Sequence, residues 1–160
     1  MTGILKVATC ICLMLILIEI SQAQGWRRIV PLRSSRSDVE KLLGVARRGS
    51  VAFYSLKDKN ILITYSDGLD CDEKGADEWN VPKDKVIGIA VTFLPKARVT
   101  LKDLKLDLGK FGKTSRGTQI GYSSDELGLR LTVEGGLVQT LLSFPAKKDS
   151  HVMCPLKRYV

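Results

Sequence analysis

Beyond its first two dozen residues the chain is built from short apolar runs that alternate with polar residues and break at turn chemistry. "FYSLKDKNILITY" (Phe53 to Tyr65) places apolar side chains at every second position on either side of Lys57-Asp58-Lys59-Asn60. "GYSSDELGLRLTV" (Gly121 to Val133) does the same around Ser124-Asp125-Glu126-Leu127-Gly128, and the two stretches align without a gap. Period-two alternation around a polar turn predicts a β-hairpin in each. A third run comes after each hairpin, "VIGIAVTFLP" (Val86 to Pro95) and "LVQTLLSFP" (Leu137 to Pro145), both ending with an aromatic close to a proline. Gly135-Gly136 marks the tight turn into the last of these.

A helix-start pattern precedes each set of strands. In "SSRSDVEKLLG" (Ser34 to Gly44), Ser35 and Asp38 have the spacing at which a hydroxyl caps an orphan backbone N–H and an acid meets the positive end of the helix dipole. Gly44 is the matching stop, and Val39, Leu42 and Leu43 share a face. "VTLKDLKLDLG" (Val99 to Gly109) repeats the skeleton with Thr100, Asp103 and Gly109, which predicts a second short helix, although Leu104, Leu106 and Leu108 alternate as in a strand. The expected fold is therefore α+β, a tandem duplication of a short helix followed by three antiparallel strands, packed as one domain. Repeat one covers 26–95 with an insertion at 66–85, repeat two covers 96–145, and 146–160 form a C-terminal tail. A short helix on three strands buries too little by itself, so the two units are expected to share a sheet or pack face to face.

Twice-used "T/S-x-x-D/E-V-x-x-L-x-G" helices ahead of β-meanders resemble the small secreted modules typified by the β-lactamase inhibitory protein and the BamE/SmpA outer-membrane assembly lipoproteins. The start of the secreted part, "WRRIVPL" (Trp26 to Leu32), is similar to uncharacterised small secreted bacterial proteins. The resemblance implies a binding or assembly module without catalysis. The chain departs from those families in its insertion and in lacking a convincing lipobox around Cys10, so neither tethering nor enzyme inhibition carries over.

Compartment is read from the N-terminus and the cysteines. A single Lys6, the apolar run to Ile20 and a Ser21-x-Ala23 step fit a signal peptide at 1–23, cleaved to leave 24–160; a retained anchor is the competing reading, which Glu19 shortens. An exported product, periplasmic or extracellular, would keep two cysteines, Cys71 and Cys154, and in an oxidising compartment such a pair reads as a disulfide. The net charge of +8 survives cleavage, because one Lys and one Glu are lost together.

Positive charge gathers at Arg27, Arg28, Arg33, Arg36, Lys41, Arg47 and Arg48, a cluster suited to a phosphate-rich polymer, anionic headgroups or an acidic protein. The export signal and the absence of a base-stacking ladder weigh against nucleic acid. In the insertion, Asp70, Asp72 and Gly75 imitate positions one, three and six of a calcium loop, yet Lys74 and Val81 occupy positions that need oxygen ligands, so calcium is at most a weak candidate. Trp79 is a candidate recognition aromatic. His151 has no nucleophile in a recognisable pattern, no cofactor motif is present, and no catalytic residue is assigned. The expectation is a non-enzymatic exported or envelope-associated module that binds a protein or an anionic polymer through a sheet face or the Cys71 loop. The alternative is a small secreted hydrolase using carboxylates of the 66–85 insertion. Oligomeric state is not legible from the residues.

Overall fold

Ser35 opens the one α-helix among the described residues, α1 (Arg36–Leu43). Its hydroxyl accepts from the Asp38 N–H, while the Asp38 carboxylate accepts from the Ser35 N–H at 2.9 Å. This reciprocal pairing satisfies donors that a helix start leaves open. Gly44, at φ +88°, ends the helix with its N–H on the Glu40 carbonyl. The structure, a computed structural model, describes residues 26–47, 49–68, 71 and 79–154.

Seven strands come after the helix: β1 (Val51–Ser55), β2 (Lys59–Tyr65), β3 (Val86–Phe93), β4 (Gly112–Arg116), β5 (Gln119–Ser124), β6 (Leu129–Glu134) and β7 (Leu137–Ser143). They form one antiparallel sheet in the order β1-β2-β3-β7-β6-β5-β4. Two meanders, β1 to β3 and β4 to β7, thus meet at the β3–β7 pair. Gly135 and Gly136 both take positive φ, 57° and 79°, which is the backbone that a two-residue turn between β6 and β7 requires.

Alternation decides the two faces. Tyr54, Ile61, Val91, Leu141, Leu131 and Tyr122 lie in one cross-strand row on the core side. A neighbouring row contributes Ala52, Ile63, Ile89, Ser143 and Leu129, all buried. Val39 of α1 and Ile29 of the N-terminal segment are fully buried against these rows. That segment is fastened to the start of β3 by the Leu32 N–H on the Val86 carbonyl and the Val86 N–H on the Ser34 carbonyl.

The α+β expectation of tandem helix-strand units is corrected: the molecule is largely a β fold with a single short helix among the described residues. The capping pair at Thr100 and Asp103 does form, with the Thr100 N–H 2.8 Å from the Asp103 carboxylate. The cap leads only into a 3-10 turn (Lys102–Leu104) closed by Lys105 in the left-handed region, then a second 3-10 turn (Leu108–Lys110) and the additional strand β4. The physical reason is the leucine spacing. Leu104 and Leu106 both turn toward the core while Lys105 and Asp107 face solvent. An α-helix cannot put residues two apart on one face, so burial selects a more extended chain over the helix that the cap invites. The unit boundaries 96–145 therefore do not enclose a second helix-first unit.

Cys71 and Cys154 form a disulfide, with Cα atoms 5.4 Å apart and a sequence separation of 83. Beside it, Trp79 bridges Met153 and the Asn80 N–H donates to the Val152 carbonyl. The described ends of the insertion are thus joined to the chain that leaves β7.

Two measurements test this architecture. Gly128 has φ +61°, and a Cβ there would lie 2.1 Å from the Phe144 carbonyl oxygen. Gly128→Ala is expected to cost about 3 kcal/mol in denaturant unfolding, because neither the backbone nor the oxygen has room to move. Cys154→Ser is expected to lower stability by about 3 kcal/mol through the freed loop. Hydrogen exchange should then rise most around Trp79 to Val81 and Lys147 to Val152, and equal acceleration throughout the sheet would contradict the local clamp.

Candidate binding surface

The arginines that crowd the early sequence differ in their surroundings. Arg27 and Arg28 occupy the turn between Trp26 and Ile29, both at positive φ, with the Arg27 guanidinium 5.1 Å from the centre of the Trp26 indole. Arg33 is exposed, and its carbonyl accepts from the Lys85 ammonium. Arg47 is exposed in the loop between α1 and β1. Arg48, Asp70 and Asp72 lie outside the described residues. Trp79 is half-buried beside the disulfide, in the bridge to Met153.

Arg36 is engaged internally. Its Nε lies 2.7 Å from the Asp84 carboxylate, its outer nitrogen donates to the Gly49 carbonyl, and its guanidinium stacks 3.9 Å above the Tyr65 ring. Those contacts use a planar cation on two of its edges and one face, which ties α1 to the start of β1 and to the insertion's exit. A cleft of about 600 Å³ opens beside it, lined by Arg36, Glu40, Ser66, Asp67, Lys83 and Asp84. The lining mixes both signs of charge. Under α1, the hydroxyls of Tyr54 and Tyr65 are buried as neighbours. Burial, and then the neighbouring Tyr54, pushes the Tyr65 phenol well above its ordinary range, so it stays protonated.

Acid–base chemistry finds no support in the carboxyls that depart from their ordinary values. Asp38 and Asp103 are held low by hydrogen bonds from Ser35 and Thr100, and Asp58 by its bond to the Lys59 ammonium. A general acid at neutral pH needs the opposite displacement. Among the described residues no group of three or more His, Cys, Asp or Glu side chains gathers that could hold a metal, and no helix is long and apolar enough to cross a membrane.

The face of the sheet turned away from α1 carries a different feature. Phe53, Leu62, Ala90 and Leu142 are consecutive cross-strand neighbours on β1, β2, β3 and β7, and Arg130 continues the row on β6. Phe53 is 59% exposed, Val51 45%, and Leu62 and Leu142 each 39%. At the usual strand spacing the apolar part of the row runs about 14 Å across the sheet. Arg130 ends it with its guanidinium 4.8 Å from the centre of the Phe144 ring. A polar row lies parallel: Ser55, Asn60, Thr92, Thr140 and Thr132. Single exposed apolar residues need no explanation, but an ordered row with a polar border is the usual composition of a docking patch. The sequence hid this row, because Phe53, Leu62 and Leu142 each read as ordinary members of an alternating strand. Their alignment depends on strand register.

Arg36→Met is expected to lower stability by about 1–2 kcal/mol, since the pair with Asp84 is only partly shielded. Chemical-shift changes should fall at Gly49, Tyr65 and Asp84; an unchanged stability would show the arginine to be free for a ligand. Compared with protein-family models, with curated proteins and with solved structures, the chain matches none.

Proposed function

We propose that the protein is an exported, non-enzymatic binding module whose open sheet face recognises a protein partner. The observation that carries this reading is the exposed row of Phe53, Leu62, Ala90 and Leu142, which no described part of the chain covers. Retaining exposed apolar side chains in register forgoes about 25 cal/mol for each Å² left in water, a cost that a partner recovers on docking. The Cys71–Cys154 bond is compatible with an oxidising destination outside the cytoplasm.

The test places a photo-crosslinking amino acid at Leu62 in the full chain expressed in its own host. Ultraviolet exposure should give a discrete adduct with one partner, and the added substitution Leu142→Glu should remove it while shifting the melting temperature by less than about 2 °C. An adduct that survives Leu142→Glu, or no adduct in any growth phase, removes the face as the binding surface.

A further inference from the structure

We propose that β1 accepts an eighth strand, an extended segment of the partner with apolar residues at alternate positions and acidic residues at its ends. The partner's class rests on the proposed binding function; the mode of pairing and the chemistry of the segment are new. The direction of the hydrogen bonds fixes the mode. The Ser50 carbonyl accepts from the Tyr65 N–H at 2.7 Å, and the Leu56 N–H donates to the Lys59 carbonyl at 2.9 Å. In an antiparallel ladder this assigns the even-numbered residues of β1 to β2. Val51, Phe53 and Ser55 consequently aim their N–H and C=O groups away from the sheet.

The two edges of the sheet differ. β4 presents Lys113 and Arg116 on a fully exposed strand, the charged kind of edge that resists pairing. β1 has neither charge nor proline, and its exposed Phe53 and Val51 flank the open groups. A strand added there would set an apolar side chain beside Phe53 and prolong the row that continues through Leu62 and Ala90 to Leu142. Main-chain bonds then supply affinity and alternate side chains supply selection.

Charge distinguishes the occupant. Exposed Arg47 precedes β1 and exposed Lys57 comes after it. An antiparallel second copy would set the Arg47 end of one β1 beside the Lys57 end of the other, cation toward cation, on chains that each have a net charge of +8. A strand flanked by Asp or Glu meets both cations favourably.

The probe is a fluorescein-labelled peptide, EEVTFTVEE, with KKVTFTVKK as its charge-reversed counterpart, titrated against the full chain by anisotropy. The acidic peptide should bind at least about tenfold more tightly at low salt, with the difference shrinking as salt rises. Phe53→Glu, which sets a like charge beside the acidic peptide, and Val51→Pro, which deletes an outward donor without touching a bond to β2, should each weaken binding about tenfold. In the unaltered protein, bound acidic peptide should slow amide exchange at Val51, Phe53 and Ser55, a readout that needs no variant. Equal binding of the two peptides, no binding at millimolar peptide, or unchanged exchange at those amides would overturn the proposal. So would sedimentation equilibrium showing a dimer that competes with the peptide, which assigns the edge to a second copy. If the Leu62 adduct persists in Val51→Pro at full yield, the face binds its partner and the edge does not; if neither adduct nor peptide binding occurs, the functional reading itself fails.

Discussion

The sheet is continuous through one short seam, the antiparallel pairing of β3 with β7. Only Ile89 to Thr92 and Thr140 to Ser143 take part, yet they join two meanders into one sheet. The register at the seam places Val91 beside Leu141 on the core side and Ala90 beside Leu142 on the open side. A slip of one residue would exchange those faces, exposing Leu141 and burying Leu142. The buried row from Tyr54 to Tyr122 and the exposed row from Phe53 to Arg130 are therefore set by the same few bonds.

Coverage of the sheet is lopsided. α1, Ile29 and the half-buried Val99, Leu101, Leu104 and Leu106 all pack on the core side. The stretch with the second capping pattern runs instead as 3-10 turns and an extra edge strand, so the sheet gains width without gaining a cover for its other face. Antiparallel sheets commonly leave one face in water, but that face is then usually polar. Here it is polar in the row of Ser55, Asn60, Thr92, Thr140 and Thr132 and apolar in the row beside it. The contrast between adjacent rows lends the surface a direction, from the uncharged β1 edge toward Arg130.

The basic residues show how charge counted along a chain differs from charge disposed in space. Arg36 is engaged by Asp84, Gly49 and Tyr65, and Lys59 by Asp58 and the Phe93 ring. Arg27 is laid on Trp26. Arg47 and Lys57 are exposed on either side of β1.

The residues alone settled what depends on near neighbours. Alternation located the hairpins at Phe53 to Tyr65 and Gly121 to Val133, Gly135-Gly136 marked its turn, and Ser35 with Asp38 marked the start of α1, because each is decided within a few bonds along the chain. The cysteine pair was legible because Cys71 and Cys154 are the two cysteines beyond the apolar N-terminal run. Thr100 and Asp103 carried the same local signal, and there the tertiary structure overruled it, since leucines two residues apart gained more by reaching the core than a helix gained from its cap. The exposed row, the free edge of β1 and the internal engagement of Arg36 belonged to the tertiary structure alone. Each joins residues distant in sequence through strand register, and register is fixed by the whole sheet rather than by any stretch of it.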